Sequence, residues 1–293
     1  MLSGTITALV TPMKEDGSVD YESLESLVEF QIVNGVSGLV VLGSTGESLT
    51  LLMEEKFKII DCVLNKNANR VKIIVGINLT NTSEAIICAK KINEISNVDY
   101  IMLLTPYYVK PTQDGLYNHF AEIAKISNKP IILYNVPSRT SCDLHDKTTL
   151  RLANDFKNIV GLKDATGDIA RLCYLVKHKP QEFMLFSGDD ATSLAFMLCG
   201  GDGVISVVSN LVPREMSRMC HFAISGDKLL AIEANNEIIQ LYEDMFIETN
   251  PIPIKWSLYH KGLIKTPCLR SPLTTLSEKS RLIVRTTIEK FCS

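Results

Sequence analysis

Eight short apolar runs of β type recur along the chain, each followed by a stretch of helical or turn character, and this alternation constrains the fold more than any other feature. The runs are Thr5–Val10, Gly38–Leu42, Lys72–Ile77, Tyr100–Leu104, Pro130–Asn135, Ile159–Lys163, Met184–Ser187 and Gly203–Val208. Most are continuous Val/Ile/Leu stretches. Strands buried on both faces read this way, and parallel sheets covered by helices supply such strands. Between the runs, Asp20 is placed to cap a helix carrying Leu24, Leu27, Val28 and Ile32. Asn81, with Glu84 three residues on, resembles a capping box ahead of Ile87 and Ile92. Leu116, Phe120, Ile123 and Ala124 follow helical spacing, as do Leu194, Met197 and Leu198. Strands alternating with helices predict a parallel α/β fold. Eight in one series favours a closed (β/α)8 TIM barrel over a doubly wound sheet.

After about residue 223 no further strand pattern occurs. Gly226 and Asp227 open an amphipathic stretch bearing Leu229, Leu230, Ile238, Leu241, Tyr242 and Met245. Pro251 and Pro253 suit a new helix start, and Thr275 with Glu278 forms a second capping-box pattern before Leu282 and Ile283. The expected organisation is a barrel over residues 1–223 and a helical C-terminal domain over 224–293. A total of 293 residues suits a barrel with an extension.

The net charge is −3, from 30 basic and 33 acidic residues. That balance argues against nucleic-acid and membrane-surface partners, so any anionic ligand must be met by particular side chains. Cys62, Cys88, Cys142, Cys173, Cys199, Cys220, Cys268 and Cys292 include no CxxC and are scattered through apolar segments. They read as core thiols of a reduced, cytoplasmic protein. The N-terminus shows no secretory pattern, and no apolar run approaches the ~18 residues of a membrane span.

Active sites of such barrels lie at the C-terminal ends of the strands. Those ends carry Thr11-Pro12, the Gly43–Glu47 turn, Asn78, Thr105–Tyr108, Tyr134-Asn135, Lys163-Asp164, Gly188–Asp190 and Ser206–Asn210. No histidine is among them, which leaves zinc hydrolysis and Ser-His-Asp catalysis poorly supported. No metal site is expected. Asp189-Asp190 reads more readily as a cap for a helix at Ala191 than as half a Mg²⁺ site.

Lys163 ends an apolar strand. Its bland reading is a solvated lysine or an ion pair with Asp164. In a pocket, however, desolvation lowers a lysine pKa. At the reference value only about one lysine in 2,500 is neutral at pH 7. A depressed pKa makes the amine a nucleophile towards a carbonyl. This is Schiff-base chemistry and needs no cofactor. Tyr134, ending the neighbouring strand, is placed for acid/base work or, equally, to anchor the strand through its ring. Tyr107-Tyr108 is a paired aromatic whose plain reading is packing. The glycine-rich turn at Gly43 suits a carboxylate. Arg139 could hold another carboxylate bidentately or simply be a surface arginine.

Five segments, in order, resemble the dihydrodipicolinate synthase (4-hydroxy-tetrahydrodipicolinate synthase) family, which includes N-acetylneuraminate lyase. They are Gly43-Ser44-Thr45-Gly46-Glu47-Ser48, Thr105-Pro106-Tyr107-Tyr108, Tyr134-Asn135-Val136-Pro137-Ser138-Arg139-Thr140, Gly161-Leu162-Lys163-Asp164-Ala165-Thr166-Gly167 and Asn250-Pro251-Ile252-Pro253-Ile254-Lys255. The resemblance implies a lyase of class I aldolase type that condenses pyruvate with L-aspartate 4-semialdehyde in lysine biosynthesis through diaminopimelate. It implies Lys163 as the Schiff-base lysine and Tyr134 as proton donor and acceptor. Ser44 and Tyr108 would complete a hydroxyl relay, with Tyr108 reaching across from a neighbouring subunit. Thr45 would bind the pyruvate carboxylate, helped by backbone near Gly188 and Ile205, and Arg139 the semialdehyde carboxylate. A homotetramer, a dimer of dimers, is implied.

Two departures matter. Ser44 stands where synthases usually have Thr, and is typical of the lyase branch, whereas Arg139 favours the synthase. The alternatives are therefore a neuraminate-lyase-like or 2-keto-3-deoxy sugar acid aldolase, and a barrel that binds a small acid without chemistry. The family's allosteric lysine site maps to Ser48, Leu49, Met53, Lys56, Thr80, Glu84 and Tyr107. There Met53 and Lys56 replace imidazoles and Thr80 an amide. A cationic Lys56 opposes a cationic effector, so the expectation is a vestigial site with weak or absent feedback.

Overall fold

The computed structural model describes residues 2–291; Cys292 lies outside them. The chain alternates in the order β1 (Gly4–Ala8), α1 (Tyr21–Val33), β2 (Gly38–Val41), α2 (Met53–Asn67), β3 (Lys72–Ile77), α3 (Thr82–Asn93), β4 (Tyr100–Leu104), α4 (Gln113–Ile126), β5 (Ile131–Asn135), α5 (Pro137–Thr140), α6 (Asp146–Asp155), β6 (Ile159–Asp164), α7 (Ile169–His178), β7 (Met184–Ser187), α8 (Ser193–Leu198), β8 (Gly203–Ser206) and α9 (Pro213–Ser225). Three further helices follow: α10 (Lys228–Asp244), α11 (Ile252–His260) and α12 (Glu278–Lys290). The eight strands close into a barrel in sequence order, β1 pairing β8, with every pair parallel. This is the (β/α)8 architecture expected from the apolar runs.

Two apolar cores result from the two faces of the same strands. Ile6, Val40, Ile74, Met102, Ile132, Met184, Phe186 and Ile205 fill the barrel interior. Leu39, Ile73, Val75, Ile101, Leu133, Leu162 and Leu185 face outward under the helices. This is why the runs are continuous instead of alternating.

Local signals act as expected at Asp20, which accepts from Ser23 N, and at Asp227, which accepts from Leu230 N. Asn81 accepts from Ser83 N and Glu84 N. Several expectations are corrected, among them the end of β1, which stops at Ala8 and not Val10. The last helix is capped by Ser277, not Thr275. The helix expected at Ala191 starts at Ser193, with Asp189 bracing the preceding turn by accepting from Thr192 N and Oγ1 at 3.0 and 2.6 Å. The last strand ends at Ser206 instead of Val208, because Asp190 Oδ2 accepts from Val207 N and Val208 N at 2.9 and 3.1 Å and draws that backbone out of the ladder. The seven described cysteines are free thiols; Cys142 and Cys220 are buried, but Cys173 and Cys199 are exposed, contrary to the core reading.

The C-terminal helices pack against one edge of the barrel, α10 along α9 and α12 across α10 and α11. Two contacts tie them to the strand ends. Lys255 Nζ on α11 meets Glu47 Oε1 at 2.5 Å, with both side chains fully buried. Arg270 donates to the Glu55 carboxylate at 2.6 and 2.5 Å and to the carbonyls of Gly17 and Thr50 at 2.8 and 2.9 Å.

Candidate active site

A cavity of about 630 Å³ opens at the C-terminal ends of the strands, lined by Ser44, Thr45, Tyr134, Arg139, Lys163, Gly188 and the 246–250 segment, among others. Residues 163 and 164 are adjacent on β6 and so point to opposite faces. Lys163 turns into the barrel mouth. Asp164 turns outward to Thr166 Oγ1 at 2.6 Å and Asn135 Nδ2 at 3.3 Å. The ion pair between these two neighbours, one bland reading of Lys163, is therefore not formed.

Lys163 is 5% exposed. Burial pushes its amine down to about 7; the carboxylate of Asp190 opposes this, and the guanidinium of Arg139 adds to it. About half the amine is then neutral at pH 7, against about one part in 2,500 for an unperturbed lysine. Tyr134 pairs with Lys163 in register, and Lys163 Nζ lies 4.3 Å from the centre of its ring. Burial raises the Tyr134 phenol, with Arg139 and a hydrogen bond to Ser44 acting the other way. The phenol therefore stays protonated at neutral pH and can donate.

Gly188 leaves room for the lysine stem. A Cβ there would stand 2.8 Å from Ala165 Cβ and 3.0 Å from Lys163 Cε. Thr45 is buried in the turn after β2, and its Oγ1 accepts from Asn250 Nδ2 at 3.0 Å. Arg139 is carried on the four-residue α5, started by Pro137, and not on a loop; its guanidinium donates to the Asn250 carbonyl at 2.9 Å. Thus hydroxyl, phenol, amine and guanidinium from three separate segments converge on one cavity. The arrangement suits imine formation with a small keto acid.

The model of the dihydrodipicolinate synthetase family matches residues 1–291. A curated 4-hydroxy-tetrahydrodipicolinate synthase of Laribacter hongkongensis is 49% identical over 278 residues, covering 95% of this chain and 94% of its own. The chain belongs to the dihydrodipicolinate synthetase family. The chloride-inhibited dihydrodipicolinate synthase of Acinetobacter baumannii, solved with pyruvate, superimposes with a TM-score of 0.96 at 45% identity, over 99% of this chain and 98% of that one. A monomeric dihydrodipicolinate synthase variant superimposes with a TM-score of 0.95 at 38% identity, covering 99% and 96%.

Within the family fold, the remaining residues of interest fall outside the cavity. Tyr108 is 89% exposed with φ of 72° and does not line the cavity of its own chain. Ile205 is buried inside the barrel, also away from the lining. Ser48, Met53 and Lys56 border a separate void of only about 20 Å³. Ser48 Oγ is taken by Asn78 Nδ2 at 2.6 Å, and Thr80 Oγ1 donates to the Tyr107 carbonyl at 3.4 Å. Leu49 and Glu84 are exposed and Tyr107 is half-buried. Burial lowers the Lys56 amine, with Cys88 acting in the opposite sense.

Asn250, Glu47 and Lys255 were not singled out as site residues by sequence reasoning. The only signal was their place in two of the family-like motifs. Asn250 is an amide in a loop, and its partners lie 205 and 111 residues away in the chain. Among the described residues no helix is long and apolar enough to cross a membrane.

Proposed function

We infer that the protein is a lyase of class I aldolase type catalysing the 4-hydroxy-tetrahydrodipicolinate synthase reaction, the condensation of pyruvate with L-aspartate 4-semialdehyde. The observation that carries this is the desolvated Lys163 amine beside the Tyr134 phenol at the floor of a cavity walled by Thr45 and Arg139. Neutral Lys163 attacks the keto carbon of pyruvate; Tyr134 protonates the departing hydroxyl, and water leaves to give the imine. Loss of a methyl proton yields the enamine, whose carbon attacks the aldehyde carbon of the second substrate. The substrate's amino group then displaces Lys163 and closes the ring. The imine nitrogen is the electron sink, so no metal or organic cofactor is required.

In this reading Thr45, with backbone near Gly188 and Ile205, holds the pyruvate carboxylate, and Arg139 holds the semialdehyde carboxylate. Ser44 relays protons from Tyr134, since its hydroxyl keeps the donor and acceptor of the usual Thr. Tyr108 extends the relay from a neighbouring subunit in a homotetramer. Its exposure and its absence from the lining of its own cavity support such a role. In this reading the catalytic barrel runs through α9, three residues past the expected boundary at 223, to its cap at Gly226 (φ 86°), and α10–α12 make up the helical C-terminal domain. The neuraminate-lyase alternative is not favoured, because Arg139 stands in the cavity wall and the relatives carry the synthase name.

Borohydride reduction in the presence of pyruvate, followed by intact mass, tests the reading. One pyruvate-derived adduct per chain is expected in the wild type and none in Lys163→Ala. An absent adduct, or one that persists in the variant, overturns it.

A further inference from the structure

Asn250, immediately ahead of α11, is buried and touches both residues assigned to substrate carboxylates. Its two contacts differ in kind. The side-chain Nδ2 donates to Thr45 Oγ1 at 3.0 Å, whereas the backbone carbonyl accepts from the Arg139 guanidinium at 2.9 Å. Its Oδ1 is buried without a partner among the described residues.

A hydroxyl carries one proton and two acceptor sites. With an amide N–H occupying one acceptor site of Thr45, the Thr45 proton remains to be donated elsewhere. Thr45 lines the cavity, so the acceptor available to that proton is an anion bound there. The turn cannot easily shift to compensate. Glu47, two residues on, is clamped by Lys255 at 2.5 Å and by the backbone N–H of Arg270 at 3.0 Å.

We propose that Asn250 is a positioning residue for the first substrate, acting through Thr45 by fixing its hydroxyl as a donor to the pyruvate carboxylate. The proposal rests on the reading of the cavity as a pyruvate site. It separates the two substrates. The contact with Arg139 comes from the backbone and survives a side-chain change, so the semialdehyde end is left intact.

The test is steady-state kinetics of Asn250→Ala and Asn250→Asp with both substrates varied, alongside borohydride trapping of the wild type. Asn250→Ala raises the pyruvate KM about tenfold, the effect of one hydrogen bond to a charged group, with kcat and the semialdehyde KM within about twofold. Asn250→Asp is worse at neutral pH, about 100-fold, because a carboxylate only accepts, so the Thr45 hydroxyl donates to it and not towards the cavity. As pH falls and that carboxyl is protonated it donates again, so its pyruvate KM, divided by the wild-type value at the same pH, drops. A merely structural role lowers Tm and kcat in both variants without this selectivity or pH dependence.

An unchanged pyruvate KM in both variants, or equal rises for both substrates, overturns the proposal. Should Asn250→Ala fail to fold, Thr45→Val gives a second measurement. Combining it with Asn250→Asp must add nothing to the pyruvate KM of Thr45→Val, and additive effects overturn the proposal. Failure of the wild type to be trapped with pyruvate sinks the pyruvate reading itself. Trapping with an unmoved KM sinks only the role of Asn250.

Discussion

Lys163 Nζ sits 4.3 Å from the centre of the Tyr134 ring, and the two residues are direct register partners on β6 and β5. The ring face attracts an ammonium and the cavity disfavours one. Desolvation wins, because Lys163 is buried and the carboxylate that opposes the shift, Asp190, also holds two backbone N–H groups.

The rate of imine formation with pyruvate should rise as pH increases through about 7, where Lys163 loses its proton, and then level off. Rapid-quench borohydride trapping across pH 5.5–9 measures it; a midpoint above ~9 would refute the desolvated lysine. The linked stability has a definite sign. The folded state holds fewer protons than the unfolded state between pH about 7 and 10.5, so stability rises with pH across that window. Lys163→Met should therefore stabilise the protein at pH 8 by about 3 kcal/mol, a gain that vanishes towards pH 10.5. Denaturant titrations at the two pH values check this.

Gly188→Ala places a methyl 3.0 Å from Lys163 Cε and 2.8 Å from Ala165 Cβ. The flexible lysine can give way, but Ala165 can move only with its backbone. Displacing the reacting amine by a few tenths of an ångström to an ångström costs up to ~100-fold in rate. The expected result is a large kcat loss together with a lowered Tm, because the contact with Ala165 can be relieved only by moving backbone.

Breaking the buried pair between Glu47 and Lys255 leaves an uncompensated charge in a dry site. Glu47→Gln or Lys255→Met should each cost about 3–5 kcal/mol in chemical denaturation. The double variant Glu47→Gln/Lys255→Met should cost less than the two single losses combined, because neither charge is then left alone. Additive losses would show that the pair is not a single energetic unit.

L-Lysine should inhibit weakly or not at all. Met53 and Lys56 stand where the family's imidazoles are expected, and Lys56 brings a second cation to the place of a cationic effector. Half-inhibition well below millimolar lysine would contradict this.

Much of the fold was legible in the sequence because it is written locally. The eight runs are apolar on both faces, so their number and order point to a closed parallel barrel, and polar residues just after them mark the catalytic rim. Strand ends were less legible. The end of β8 is set by Asp190, 17 residues away. The cap of α12 is set by which hydroxyl reaches the first turn, and Ser277 reaches it.

Lys163, Tyr134, Thr45 and Arg139 could be named from their positions at strand ends and in motifs. What the chain order alone could not decide is their chemistry. Whether Lys163 pairs with Asp164 or faces the cavity depends on strand register and on which face closes inward. Its pKa depends on burial that exists only once the barrel is shut. The bonds of Asn250 to Thr45 and Arg139, and of Lys255 to Glu47, join residues more than 100 positions apart. The sequence by itself determined the architecture and the inventory of reactive groups, since periodicity and turn chemistry are local. Only the tertiary structure decided which of those groups meet in one cavity and which are buried there, since desolvation and hydrogen-bond polarity are properties of the packed whole.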